Sequence, residues 1–428
     1  MVVFQHVSNS GAVLERIGLP RPYARSKPID VAELDLAPPA AGELRVRIEA
    51  AGVCHSDLSV VDGTRVRPVP MLLGHEAAGV VEQVGDGVGD VAVGQRVVMA
   101  FLPRCGRCPA CATEGLTPCE PGSAANAAGT LLGGAMRLSR EGRPVYHHLG
   151  VSGFATQAVV NRASVVPVDF DVPPTVAALL GCAVLTGGGA VLNVGRPKPG
   201  DTVAVVGLGG VGMAAVLTAL AHNDIRVVGV DQLPEKLATV RAFGAHEAYT
   251  PQQASEAGVK AAVVIEAVGH AAALQTAIEL TAAGGRTITV GLPPPETRIS
   301  LSPLGFVAEG RALIGSYLGS AVPGRDIPGS CSCGDRPVAG GVTGVLENQS
   351  RQDQRGDGPA GRWCRHSATD YLLGWRPGSL ERYQLGSDWQ TPLHVAEQRL
   401  RGVHRLAGIP AAVSAWALNA RAAPLSTC

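Results

Sequence analysis

The sequence predicts an α/β protein in two parts, a β-rich region followed by a doubly wound parallel sheet with helices on both faces. Three observations predict it. Glu43 to Ala50 reads Glu-Leu-Arg-Val-Arg-Ile-Glu-Ala, alternating charged and apolar side chains with the period of two of a half-buried strand. Val80–Val84 and Arg96–Ala100 repeat that pattern, separated by glycine turns over Gly85–Asp90 and at Gly94, which suits antiparallel strands with barrel character. From Asp201 the pattern changes to strand (Thr202–Val206), glycine turn, helix (Val211–Ala221), strand (Arg226–Val230), helix (Pro234–Phe243), strand (Ala262–Glu266), helix (Ala271–Thr281) and strand (Arg286–Val290). Alternating β and α units build a parallel sheet.

Bulk composition narrows the function classes. The 428 residues carry 36 basic and 36 acidic side chains and are 46% hydrophobic, which suits a soluble globular protein of two domains. Zero net charge gives no footprint for nucleic acid or an anionic membrane, so neither is expected as a partner. Met1 to Gly11 lacks a basic region followed by an apolar core, and no secretory signal is expected. The longest apolar stretch, Val176–Leu192, is interrupted by Gly181 and Gly187–Gly189 and is not read as a membrane span. Ten cysteines without a leader favour a reducing compartment, with the cytoplasm as the expected location.

Four of those cysteines form the densest signal in the chain. Cys105, Cys108, Cys111 and Cys119 follow Cys-x2-Cys-x2-Cys-x7-Cys within fifteen residues. Thiols this close do not pair easily into two unstrained disulfides, whereas x2 steps let successive sulfurs converge on one tetrahedral Zn2+. Gly106, Pro109 and Gly115 supply the tight backbone such a loop needs. A closed four-thiolate site leaves no position for substrate, so it is structural and names no reaction.

Gly207-Leu208-Gly209-Gly210-Val211-Gly212 directly follows an apolar strand and opens a helix. In a Gly-x-Gly-x-x-Gly turn, Gly207 permits the tight bend, Gly209 lets backbone approach a pyrophosphate, and Gly212 allows helix to pack closely on strand. The helix N-terminus then offers free N–H groups to phosphates. Asp231 ends the next strand, nineteen residues after Gly212, placed to accept hydrogen bonds from ribose hydroxyls and to repel a 2′-phosphate. NAD is therefore expected rather than NADP, with Lys236 one turn into the following helix as a candidate at the ribose.

Three further residues suit an open metal site: Cys54, His75 in Gly74-His75-Glu76, and Cys182 in Gly181-Cys182. Together with Gly-Val-Cys-His-Ser-Asp (Gly52–Asp57), the four-cysteine knot and the glycine turn, they stand in the order and spacing of the zinc-dependent medium-chain alcohol dehydrogenases, which the chain resembles from about Val13 to Ile327. The likeness is to the long form that keeps a structural zinc. It implies a GroES-like catalytic domain over 1–190 with a zinc lobe at 100–122, and a Rossmann-type NAD domain over 191–327. It implies two Zn2+ per chain, the catalytic one held by Cys54, His75 and Cys182 with Glu76 nearby, and Asp57 orienting the His75 ring. It further implies reversible oxidation of an alcohol to an aldehyde or ketone, by hydride transfer from a zinc-bound alkoxide to the nicotinamide. Ser56 would take the alcohol proton, and His55 would lie near the cofactor pyrophosphate. Where many relatives place a relay histidine, this chain has Ser59, so the proton leaves through water or His55. Relatives that oxidise a formaldehyde–thiol adduct carry an arginine after the fourth cysteine of the knot. Glu120–Ala124 has no cation, which lowers that alternative. Tyr146-His147-His148 precedes the return strand; two adjacent histidines in a loop are expected to be solvated, with shaping of the substrate channel as the alternative. Arg311–Leu318 reads as the last strand of the nucleotide domain, the edge through which relatives form dimers and larger homo-oligomers.

After Pro328 the resemblance stops. All four tryptophans and four of the ten cysteines lie in the last hundred residues, and Asn348–Gly361 is polar with neither helical nor strand period. The 329–428 tail is expected to be disordered and to come from a shifted reading frame, which leaves an inactive nucleotide-binding chain as an alternative outcome. Cys331, Cys333, Cys364 and His366 are assigned no metal. Dropping one nucleotide from a legal back-translation of Asp335–Trp363 yields TGRLPVESLVSSKISLDKINEAMDQLADG, which resembles the amphipathic family terminus. Sequencing the coding DNA across the Pro328 codon should reveal that text in an adjacent frame. A gene with no such frame marks the tail as a genuine extension.

Overall fold

Alternation along Glu43–Gly52 produces the strand that its period dictates. In the computed structural model, which describes residues 7–327, Leu44, Val46, Ile48 and Ala50 are buried, while Arg45, Arg47 and Glu49 stand at least partly in solvent. The expectations placed on the tail lie outside the described residues. By contacts the described chain divides into two units, 7–105 with 119–179 and 106–118 with 180–327.

The first unit carries ten strands: β1 (Val7–Leu14), β2 (Ile29–Leu36), β3 (Glu43–Gly52), β4 (Met71–Leu72), β5 (Glu76–Val84), β6 (Arg96–Met99), β7 (Leu138–Arg140), β8 (Arg143–His147), β9 (Gln157–Asn161) and β10 (Val165–Val168). β1, β2, β7, β8 and β4 close a barrel, and β10-β6-β5-β3-β9 form a five-stranded sheet. Val13, Leu34, Leu36, Leu72, Leu138, Val145 and Val159 fill a shared core. One buried charge is paired: Glu43, on β3, accepts from Arg137 Nε at 2.7 Å and from its Nη2 at 3.2 Å.

The second unit is a six-stranded sheet in the order β13-β12-β11-β14-β15-β16, every neighbouring pair parallel. Its strands are β11 (Thr202–Val206), β12 (Arg226–Val230), β13 (Glu247–Tyr249), β14 (Ala261–Glu266), β15 (Thr281–Thr289) and β16 (Ala312–Gly315). Strand order reverses at β11, so the crevice beyond its carboxyl end is the topological switch point where such sheets bind ligands. Helices Gly210–Leu220 and Pro234–Ala242 pack on one face through Val216, Leu217 and Val240, and the opposite face buries Val206, Val230 and Val264 with Ala277 and Leu280.

Three boundaries differ from the sequence expectation. β15 begins at Thr281, because the helix stops at Leu280 and Thr281 turns to extended backbone with ψ 127°. β16 is shorter than Arg311–Leu318: Arg311 still caps the preceding helix through Phe306 O, and Leu318 (φ 53°) and Gly319 (φ 67°) turn the chain away. The apolar stretch around Val176–Leu192 lies within a single helical run, Pro174–Gly195, which its glycines do not break. At Gly187 a Cβ would lie 2.1 Å from Val211 O, so a side chain is excluded there by the neighbouring helix. This run is long and apolar enough to cross a membrane, yet 78% of its most apolar window is buried, as a core helix requires.

His147, at the end of β8, is also buried rather than solvated, 1% exposed, and its Nε2 accepts from Arg137 N at 3.0 Å. Burial, and then the Arg137 charge, push its pKa down from 6.5 to about 3. The unfolded chain binds this proton first as pH falls, so the contribution to stability is intact above 6.5 and is lost between 6.5 and about 3. Urea unfolding across pH 6 to 4 should show, for His147→Gln, an acid slope shallower by up to about 1.4 kcal/mol per pH unit. An unchanged slope would remove His147 from the acid sensitivity.

Candidate functional site

Glycine geometry prepares the first cluster. Gly52 faces Glu76 across β3 and β5, and a Cβ on it would lie 2.6 Å from Glu76 Oε2. Gly74 adopts φ +93°, where a side chain is strained, and a Cβ there would strike Phe154 N at 2.5 Å. Between them Cys54 caps the helix His55–Val61, and Asp57 in its first turn accepts from Cys54 N through Oδ2 at 2.9 Å. Asp57 Oδ1 stands 2.9 Å from His75 Nδ1. With Nδ1 committed to the carboxylate, Nε2 is the nitrogen left for a metal.

Cys182 comes from the helical run Pro174–Gly195, in its π-helical segment Leu180–Val184. It lies one turn beyond Leu179, whose side chain approaches Gly52. Within the first unit the ligand atoms of Cys54, His75 and Glu76 lie within 4.8 Å of one another. A tetrahedral zinc with bonds of about 2.0–2.3 Å separates its ligands by roughly 3.3–3.8 Å, a spacing within that bound. Glu76 Oε1 is 3.9 Å from His75 Nε2, facing the same point.

Electrostatics favour a strongly basic imidazole and an ionised acid. Burial alone would raise the Asp57 carboxyl, but the charges and hydrogen bonds of His75 and His148 hold it well below the usual carboxylate range. Burial alone would lower His75, and the Asp57 carboxylate more than reverses this, making the ring a stronger base and a stronger donor.

In the knot, the sulfurs of Cys105 and Cys119 lie within 4.8 Å of each other, as do those of Cys108 and Cys111. A 3-10 turn over Pro109–Thr113 brings Cys111 N to Cys108 O at 2.9 Å, and Cys119 Sγ accepts from Cys105 N at 3.3 Å. Gly106 (φ +76°) and Gly115 (φ +102°) supply the left-handed turns.

At the glycine turn Gly207 adopts φ +94°, and a Cβ on Gly212 would lie 1.8 Å from Gly207 O. Nothing lies within 4 Å of a Cβ on Gly209, leaving a cradle that a backbone-hugging pyrophosphate would fill. Gly210 opens the helix. Asp231 accepts from Leu208 N (2.8 Å) and Leu233 N (3.0 Å), which pins the carboxylate at the strand end, with Lys236 Nζ 3.4 Å away.

Of the remaining candidates, His55 is exposed and Ser56 half-buried on the same helix, and Ser59 is buried with its hydroxyl donated to His55 O at 3.0 Å. Sequence reasoning missed His148. Expected in solvent, it is 1% exposed, its Nδ1 lies 3.3 Å from Asp57 Oδ1, and its ring stands edge-on to His75. Alternation along β8 buries Val145 and His147 and signalled the inward histidine before it. The burial of His148 depends on how Gly150 to Gly153 fold back over it and was not readable.

Known proteins match both units. Residues 40–170 match the family model of the alcohol dehydrogenase GroES-like domain, and 210–330 match that of the zinc-binding dehydrogenases. Among solved structures, an alcohol dehydrogenase zinc-binding domain protein from Burkholderia ambifaria is 30% identical, covering 75% of this chain and 86% of that one, with a TM-score of 0.69. Benzyl alcohol dehydrogenase from Acinetobacter calcoaceticus is 26% identical over 75% and 87%, TM-score 0.68. A thermostable alcohol dehydrogenase from Pyrobaculum aerophilum, whose structure holds cobalt and zinc, is 28% identical over 73% and 84%, TM-score 0.59.

Gly212→Ala should lower the melting temperature, since its methyl group meets backbone. Gly209→Ala should leave melting within about 0.5 kcal/mol of wild type while weakening dinucleotide binding in calorimetry. Equal dinucleotide affinity in Gly209→Ala would show that the turn does not hold a pyrophosphate.

Proposed function

Because the chain belongs to the medium-chain zinc-dependent alcohol dehydrogenase family, we propose that it oxidises primary or aromatic alcohols reversibly to the matching aldehydes, with NAD as hydride acceptor. The observation that carries this reading is the placement of Cys54 and His75 beside Glu76 with Asp57 behind the imidazole, and Cys182 is proposed as the third ligand. Two thiolates and a neutral imidazole fit Zn2+ and form an open set, in contrast to the four-cysteine knot, so two zincs per chain are proposed with distinct roles. Bound there, zinc supplies a Lewis acid that makes a nearby hydroxyl easier to ionise.

The chain's own residues do the rest. Asp57 holds the His75 proton on Nδ1, leaving the Nε2 lone pair for the metal. Ser56, on the helix that Cys54 caps, takes the alcohol proton at Oγ and passes it toward the nicotinamide ribose. With Ser59 committed to the helix backbone, the proton then leaves by water or by the exposed His55. Gly207, Gly209, Gly210 and Gly212 hold the pyrophosphate, and Asp231 with Lys236 engages the adenosine ribose, the carboxylate opposing a 2′-phosphate. The benzyl alcohol dehydrogenase neighbour supports the aromatic end of the substrate range. A homodimer or homotetramer through the free edge of β16 fits the same reading, because the adjoining helix Pro303–Glu309 exposes Leu304 and Val307.

The test is NADH formation from a panel of alcohols, with zinc content measured, on the chain as written and on one carrying the shifted-frame terminus. Turnover should require Cys54. Asp57→Asn should lose roughly 10–100-fold in zinc affinity or activity, and Cys111→Ser should lose one zinc and thermal stability. Absence of NADH from both zinc-loaded chains would overturn the reading.

A further inference from the structure

We propose that His148 is a positioning residue of the three-ligand metal centre, acting on His75 through the Asp57 carboxylate that the two histidines share. The proposal rests on the reading that Cys54, His75 and Cys182 hold the metal.

Asp57 is fully buried, and its two oxygens are divided among three donors. Oδ2 takes Cys54 N at 2.9 Å, while Oδ1 faces both His75 Nδ1 at 2.9 Å and His148 Nδ1 at 3.3 Å. The 3.3 Å approach is longer than that of His75, and His148 Nδ1 has no closer partner among the described residues. A buried ring nitrogen facing a carboxylate is held by its charge, so that contact is the one to expect of it. The His148 ring also stands edge-on to His75, centroids 5.5 Å apart at 84°. Phe101 meets His75 in the same way, at 5.5 Å and 89°. The His75 imidazole is thus set by two rings and one carboxylate, and His148 contributes to both kinds of restraint.

The backbone makes this placement rigid. β4 pairs in parallel with β8, Leu72 opposite His147, and His148 N donates to Leu72 O at 3.3 Å and to Ser152 Oγ at 3.1 Å. His148 is therefore fixed to the chain three residues before His75. Asp57, His75 and His148 are compact enough to be considered as ligands themselves. However, 2.9 Å between Nδ1 and Oδ1 is a hydrogen-bond separation, shorter than the roughly 3.3–3.8 Å between the ligands of a tetrahedral zinc.

Two variants of the full zinc-loaded chain separate the contributions. H148F keeps a ring and removes the nitrogen, and H148Q keeps a donor and removes the ring. Affinity at the three-ligand site is read by competition with a chromophoric chelator, and its geometry by the visible bands of the cobalt-substituted protein. H148F should bind zinc about 10-fold more weakly there, with shifted cobalt bands and the four-cysteine site unchanged, and H148Q should recover part of the loss. Wild-type affinity and bands in H148F would overturn the proposal. If H148F does not fold, H148L replaces it, and H148L equal to H148Q would overturn it. A wild-type chain that holds metal only at the four cysteines would refute the site reading above and this proposal with it.

Discussion

A carboxylate with no exposure to water organises the proposed chemistry. Asp57 is tied by one oxygen to the backbone of Cys54 and by the other to His75, so one side chain fixes the helix cap that carries the first ligand and the ring that carries the second. An ionised acid in the interior is disfavoured unless its oxygens are satisfied. Here those partners are the residues proposed as ligands. The local fold and the donor set consequently stand or fall together.

A second constraint is close approach. Gly52, Gly74, Gly187, Gly207 and Gly212 each sit where a methyl group would run into a neighbouring atom, and in the last four that atom or its neighbour is backbone or an adjoining helix or strand side chain. At Gly52 the space goes to the Glu76 carboxylate, and at Gly212 it lets the helix start directly on β11. Both positions bring chemistry-bearing groups nearer than any side chain would permit. The chain spends its smallest residue where distance matters most.

Much was legible in advance because it depends on local pattern. The period-two run at Glu43–Ala50 and the β/α alternation after Asp201 act within a few residues, and each became the element its spacing implied. The helix through Val176–Leu192 was not readable, because composition cannot distinguish a glycine that breaks a helix from one that admits a neighbour. His147 and His148 misled for a related reason: polarity suggests solvent, but burial is decided by strands and turns distant in sequence.

The sequence by itself determined the two kinds of architecture, the closed thiolate site and the glycine turn, since spacing along the chain is enough to specify them. Only the tertiary structure decided which groups stand behind the ligands. His75, Asp57 and His148 come from three separate segments, and their mutual distances of 2.9 and 3.3 Å follow from strand pairing between β4 and β8 and from the cap at Cys54. Such distances are set by non-local packing, and no period along the chain encodes them.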